Sequence, residues 1–268
     1  MGREIFPLLK AIVSMPMSLE HAVEMRGISK RFGNVQALNG VDLELRRGEL
    51  LGLVGDNAAG KSTLMKTLYG SVIPDAGEIF VEGQKAALRN PRDAQALGLA
   101  MIYQDLAVFN NLDVAANVFT GREYTRRVLG ITFLDKKRMY NESEALLSRL
   151  RINISSPKLL VERMSGGQRQ MVAVARAIGF DATILIMDEP TAALGVKEAN
   201  TLLDLMAELR DQGISIILIT HRITDVLSIG DRVMVLKGGE RQGILNVEDS
   251  TLEDVEYLIV RGRSDGSG

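Results

Sequence analysis

Four short stretches of the chain are almost wholly apolar: Leu50 to Val54, Leu99 to Tyr103, Thr183 to Met187 and Ile214 to Thr220. Each has the length of a strand and is rich in Leu, Ile and Val. A strand with one wet face alternates apolar and polar residues. A strand covered on both faces does not, so these runs predict the strands of a buried parallel sheet. Between them the period changes to that of a helix. Lys61 to Tyr69 sets Leu64, Met65, Leu68 and Tyr69 on one face. Gln168 to Ile178 does the same with Met171, Val172, Ala175 and Ile178, and Lys197 to Arg210 with Leu202, Leu205, Met206 and Leu209. Strands alternating with amphipathic helices predict an α/β fold.

Two regions break the alternation. Residues 20–48 read as strands with turns at Gly33-Asn34 and Arg47-Gly48, an antiparallel β flank on the core sheet. Residues 106–163 hold no convincing core strand and carry polar helical stretches such as Lys136 to Leu150. They are expected to form a helical insertion subdomain, entered after Gln104 and left before Ser165. The core is then expected over 20–105 and 164–262. Residues 263–268 are Gly, Ser and charge, expected as a disordered tail, and residues 1–19 as a disordered extension. Ile5 to Val13 is apolar, but Pro7 and Lys10 break it and it is short for a signal peptide. Met15 and Met17 offer alternative starts, so an overextended N-terminus is expected.

Composition adds exclusions. With 268 residues the chain has ample length for its own core, without disulfide or metal staples. Its formal net charge of -2 gives no electrostatic footprint for nucleic acid, and no nucleic-acid partner is expected. The absence of cysteine removes thiolate metal sites. No apolar run approaches the length of a membrane span.

The candidate chemistry begins at Gly55-Asp56-Asn57-Ala58-Ala59-Gly60-Lys61-Ser62, which fits the P-loop pattern of Gly, four residues, Gly, Lys and a hydroxyl residue. An apolar strand precedes it and an amphipathic helix follows, the context that lets successive backbone N–H groups wrap a phosphate at a helix N-terminus. Lys61 is placed to neutralise β- and γ-phosphates and Ser62 to ligate Mg2+, with Thr63 beside them as a further nucleotide-binding candidate. The second part of the candidate site is the pair of carboxylates at the end of the strand Met187-Asp188-Glu189. Asp188 suits magnesium coordination, directly or through water. Glu189 suits a general base for water in line with the γ-phosphate.

The stretch Met164-Ser165-Gly166-Gly167-Gln168-Arg169-Gln170 resembles the signature of ATP-binding-cassette proteins, usually written with Leu where Met164 stands. Ser165 and the two glycines open an amphipathic helix, so a hydroxyl and backbone N–H groups again meet at a helix N-terminus. The resemblance spans about residues 20 to 260 and implies a RecA-like P-loop NTPase core. It implies that Ser165, Gly166, Gly167 and Gln168 bind the γ-phosphate of ATP held by a second subunit. It also implies that Phe32 stacks on adenine, that Gln104 senses Mg2+ and the attacking water, and that His221 contacts the γ-phosphate and orients Glu189. Read without it, Phe32 is a core residue on an edge strand. Two positions depart from the family's usual pattern. Ala58 stands where the P-loop normally has Gly, and Gly195 ends Thr191-Ala192-Ala193-Leu194-Gly195 where most members have Asp, which puts strict coupling between paired sites in doubt.

Within that family, Gly55-Asp56-Asn57, Tyr103-Gln104-Asp105-Leu106-Ala107, Asn111-Leu112-Asp113-Val114, Gly121-Arg122-Glu123 and Gly195-Val196-Lys197-Glu198 resemble the monosaccharide importers. The implied protein is an ATPase subunit that works as a head-to-tail pair with a second copy of itself. It would power a transmembrane permease that an extracytoplasmic sugar-binding protein supplies. Its implied place is the cytoplasmic face of a bacterial inner membrane. Import of another small polar solute is the closest competitor. A soluble cassette ATPase in DNA repair or translation is a more distant one, since the roughly 100 residues between P-loop and signature hold no sustained heptads.

Overall fold

The computed structural model describes residues 21–104, 107–179 and 181–262. The expectations for residues 1–19 and 263–268 lie outside them. The strands in chain order are β1 (His21–Phe32), β2 (Val35–Arg46), β3 (Leu50–Val54), β4 (Ala76–Val81), β5 (Gln84–Lys85), β6 (Leu99–Ile102), β7 (Thr125–Val128), β8 (Ile131–Leu134), β9 (Ile184–Asp188), β10 (Ser215–Ile219), β11 (Arg232–Lys237) and β12 (Glu240–Asn246). Six of them form the central sheet in the order β12-β11-β3-β10-β9-β6, parallel except for β12 at its edge. The apolar runs therefore form the parallel centre of an α/β fold, with bounds moved by a residue or two.

The core explains why those runs do not alternate. Leu50 and Val54 of β3 lie in one apolar cluster with Leu185 and Met187, Ile216 and Leu218, and Val233 and Val235. The residues between them, Leu51 and Leu53, Ile184 and Ile186, Ile217 and Ile219, and Met234 and Leu236, lie in a second cluster. Successive side chains of a strand point to opposite faces, so each face of this sheet has its own dry layer. The first layer is closed by helices Gly166–Gly179 and Val196–Asp211, the second by the P-loop helix Lys61–Leu68 together with β1 and β2. Gly52 faces helix Ile223–Ile229 so closely that a Cβ there would meet Val226 Cγ1 at 2.3 Å.

The antiparallel flank is larger than the reading of residues 20–48 predicts. β1 and β2 pair around the turn at Gly33-Asn34 as expected, but β4 and β5 return after the P-loop helix to complete a separate sheet ordered β2-β1-β4-β5. β11 and β12 likewise add to the central sheet beyond the four apolar runs. Between residues 107 and 163 the chain forms helices Val114–Val118 and Lys136–Arg149 and a hairpin, β7–β8, that pairs with no other strand. The hairpin also goes beyond the helical reading of this stretch: all eight of its strand residues are exposed, so it buries no face whose period could be read. Among the described residues, no helix is long and apolar enough to cross a membrane.

One buried ion pair ties the two sheets together. Arg232, at the start of β11, donates from Nη2 to Glu49 Oε2 at 2.9 Å and to the Glu44 carbonyl of β2 at 3.0 Å, while Glu49 Oε2 also accepts the Arg46 N–H at 2.6 Å. Both side chains are buried, and the Glu49 carboxylate pushes the Arg232 guanidinium further toward its charged form. A buried pair contributes little over an apolar substitute, but removing one partner strands a charge. Glu49→Gln is expected to lower unfolding free energy by about 3 kcal/mol, measured as a shift of the urea midpoint.

Candidate nucleotide-binding site

Four parallel strands, β3, β10, β9 and β6, deliver their carboxyl ends to one edge of the central sheet, with β10 between β3 and β9. Polar residues begin where these strands stop, because the positions within them are buried on both faces. β3 runs into the P-loop, β9 ends on Asp188, β10 leads through Thr220 to His221, and β6 leads through Tyr103 to Gln104. In open α/β sheets this edge is where ligands bind. A cavity of about 500 Å³ there is lined by Gly55, Asp56, Asn57, Gln104, Glu189 and His221, with Val54, Ile223 and Ile259 as its apolar wall. Ile223 and Ile259 come from helices that the reading of the chain did not connect with the site.

The P-loop owes its shape to three residues with positive φ: Gly55 at 146°, Ala58 at 64° and Gly60 at 104°. A Cβ on Gly55 would sit 2.0 Å from the Leu236 carbonyl oxygen, and one on Gly60 would sit 2.7 Å from that of Ala37, so neither position admits a side chain. Ala59 is buried, and its N–H closes the loop on the Asp56 carbonyl at 3.1 Å. Asp56, Asn57 and Ser62 are exposed, Gly60 and Thr63 half-buried. The Lys61 ammonium is folded over the loop, donating to the carbonyls of Gly55 at 2.6 Å and Asp56 at 2.9 Å. Burial pushes its pKa down, opposed by the nearby charges of Glu189, Asp188 and Asp56.

Asp188 is buried, and burial followed by the neighbouring Glu189 charge pushes its carboxyl up, while a hydrogen bond from the Ser62 side chain and the charges of Lys66 and Lys61 act the other way. A hydroxyl and a carboxylate meeting beside a lysine form a hard oxygen donor set of the kind Mg2+ takes. Glu189 has φ 50°, a left-handed conformation that costs a bulky residue on the order of 1 kcal/mol or more. Its N–H donates to the Ile219 carbonyl at 2.9 Å, which fastens it to the end of β10. From there Oε2 lies 2.8 Å from His221 Nδ1 and 3.4 Å from the His221 N–H. The Nδ1 edge of the exposed His221 ring therefore faces the Glu189 carboxylate, and Nε2 lies on the opposite edge of the ring.

The lining of this cavity includes neither Asp188 nor the P-loop beyond Asn57, and two further groups of candidate residues lie away from it. Phe32, at the end of β1, is 49% exposed and so is no core residue, and Lys30 Nζ lies 5.5 Å from its ring centroid. Ser165, Gly167 and Gln168 line a different cavity, with Lys197 and Glu198. There Ser165 and Gln168 form a capping box: the Gln168 N–H donates to Ser165 Oγ at 3.2 Å and the Ser165 N–H to Gln168 Oε1 at 3.1 Å. Gly167 packs on Glu198, whose Cβ would lie 3.0 Å from any added Cβ, and Gly166 lies near Leu194. Met164 is buried in the same core.

A family model described as ABC transporter matches residues 38–192, more than half of the chain. The chain belongs to the ABC transporter family. It is 44% identical over 237 residues to the xylose/arabinose import ATP-binding protein XylG of Sulfolobus acidocaldarius, covering 88% of this chain and 93% of that one. It is 42% identical to the fructose import ATP-binding protein FrcA of Rhizobium meliloti, covering 89% and 93%. The ribose import ATP-binding protein RbsA of Caldanaerobacter subterraneus is 43% identical, but the match covers 90% of this chain and only 48% of RbsA. Among solved structures, an ATP-binding cassette of an ABC transporter in its ADP conformation superimposes with a TM-score of 0.76, at 21% identity over 90% of this chain and 95% of that one. At that identity the likeness establishes the fold, the P-loop NTPase core.

Ala58 offers a direct test of the loop's geometry. A left-handed conformation costs an L-residue about 1–2 kcal/mol, and glycine returns about 0.4–1 kcal/mol of that through the freer unfolded chain. Ala58→Gly is therefore expected to raise nucleotide-free stability by roughly 0.5 kcal/mol, read from the denaturation midpoint.

Proposed function

We propose that this protein binds and hydrolyses ATP with Mg2+ as a pair of identical subunits, and that the cycle drives uptake of a simple sugar through a membrane permease. The observation that carries the ATPase reading is the single cavity at the strand ends that joins the P-loop, Gln104 and the Glu189–His221 pair at 2.8 Å. The sugar class is supported by the named roles of two relatives at 42–44% identity, each matched over 93% of its length.

In this reading the N–H groups from Gly55 to Ser62 wrap the β- and γ-phosphates, and Lys61 exchanges its two loop carbonyls for phosphate oxygens. Ser62, Asp188 and Gln104 are the residues that would hold Mg2+. When bound, Mg2+ neutralises charge on the phosphate oxygens. Glu189 takes the proton from the water that attacks the γ-phosphorus, and the bond to the ADP oxygen breaks. His221 holds the carboxylate that receives the proton and turns Nε2 to the phosphate. Phe32 offers a half-exposed ring as a platform for adenine.

Pairing of two copies follows from the separation of the half-sites. Ser165, Gly167 and Gln168 line a cavity different from the one at their own P-loop. A two-fold axis lets the signature of each copy close the P-loop of the other. Gly195, the N-cap of helix Val196–Asp211, has no side chain to cap the helix or to reach across such an axis; the Glu198 carboxylate takes its N–H instead, at 3.4 Å. On that ground the proposed pair need not couple its two sites strictly. The permease lies in the bacterial inner membrane with this subunit on its cytoplasmic face, and an extracytoplasmic binding protein hands over the sugar.

Glu189→Gln keeps the shape of the side chain and removes the base. Phosphate release is expected to fall about 10²- to 10⁴-fold with ATP affinity retained; unchanged turnover would remove Glu189 from the mechanism. Gentle solubilisation of native membranes and isolation of the tagged protein tests the transport reading. Co-purification of a multi-span permease and a sugar-binding protein is expected. Recovery only from the soluble fraction, with ribosomal or DNA-associated proteins, would leave the ATPase and sink the transporter.

A further inference from the structure

The hairpin β7–β8 is built against the usual preferences of a soluble surface. Its register pairs Val128 with Ile131, Arg127 with Thr132, Arg126 with Phe133 and Thr125 with Leu134. Side chains alternate across a ribbon, so Val128, Ile131 and Phe133 share one face with Arg126, while Thr125, Arg127, Thr132 and Leu134 share the other. The apolar members of both faces are 44–61% exposed. None is packed away against the rest of the protein.

The turn is the more telling part. Leu129 has φ 50° and Gly130 φ 84°, the two left-handed residues of a two-residue hairpin loop, and Leu129 is 99% exposed. Asn or Asp is the natural residue at that first position, because its short polar side chain tolerates the conformation and likes water. Leucine is unfavourable there on both counts. A bulky apolar side chain held in a strained turn and projected wholly into solvent has no stabilising role within the fold.

Charge says what the tip meets. Between Gly121 and Arg138 the chain carries six basic side chains, Arg122, Arg126, Arg127, Lys136, Lys137 and Arg138, against Glu123 and Asp135, in a protein whose formal net charge is -2. Arg138 is drawn to Glu142 and lies 4.0 Å over the Tyr124 ring at the hairpin's base. Apolar side chains at a tip with a basic collar below them match the two layers of an anionic bilayer surface, acyl chains beneath phosphate headgroups.

We propose that the β7–β8 hairpin docks this subunit directly on anionic phospholipid, with Leu129 and Ile131 entering the acyl boundary and Arg126 and Arg127 bound at the headgroup phosphates. The contact is separate from the nucleotide site and needs no permease. It holds a single copy at the membrane before assembly.

Flotation of the full-length purified protein with vesicles tests this. Phosphatidylglycerol–phosphatidylethanolamine vesicles are expected to carry it and phosphatidylcholine vesicles not. Leu129→Asn removes the apolar tip and relieves the turn, so the variant folds at least as well by thermal melting, yet its vesicle partition is expected to drop about tenfold. Arg126→Gln and Arg127→Gln are each expected to lower it about fivefold and to flatten its salt dependence. Equal flotation of wild type and Leu129→Asn overturns the proposal. So does a wild type that ignores anionic vesicles but loses permease binding on Leu129→Asn, which would make the tip a protein contact. ATP hydrolysis is read in parallel and is unaffected by either outcome.

Discussion

β3, β9 and β10 present apolar side chains to both faces of the central sheet, and helices or the antiparallel flank cover both. A polar side chain within these strands needs a partner of its own, as Ser215 at the start of β10 has in the Gly48 N–H. The polar residues of the site gather where the strands end, and because the strands are parallel, those ends lie at one edge. The P-loop, Asp188, Glu189, His221 and Gln104 come from positions far apart in the chain, yet they converge through this single consequence of burying a parallel sheet on both faces.

The backbone at that edge is held in conformations that side chains disfavour. Gly55 and Gly60 have no room for a Cβ, whereas Ala58 and Glu189 carry side chains at positive φ and depend on their surroundings to stay there. For Glu189 the restraint is visible: its N–H is fastened to the end of β10 and its carboxylate to His221, which follows the same strand. The strain fixes the direction of the carboxylate relative to the loop, and a relaxed backbone would not. Leu129 shows the same kind of cost at a surface turn, where no buried contact repays it.

The signature helix illustrates a different logic. Ser165 and Gln168 satisfy one another in a reciprocal cap, so the helix end is stable without any phosphate. A ligand there exchanges hydrogen bonds and does not need to rescue unpaired donors. In the proposed pair, that suits a surface that separates from its partner as readily as it closes.

The sequence alone determined most of the elements whose faces are buried. Unbroken apolar runs marked four of the five parallel strands, all but β11, the helical period marked the helices that cover them, and the spacing of Gly55, Gly60, Lys61 and Ser62 between a strand and a helix marked the phosphate loop. Burial imposes those patterns, so they can be read from residue order. The tertiary structure decided what burial does not encode locally. It returned β4 and β5 to the flank after the P-loop helix, because antiparallel pairing with β1 is a long-range choice. It placed Glu189 against His221 at 2.8 Å, because two adjacent parallel strands end together. It separated the signature from its own P-loop. And it raised an exposed hairpin at Leu129, where neither periodicity nor a polar turn residue marked the chain, because that ribbon buries nothing within its own subunit.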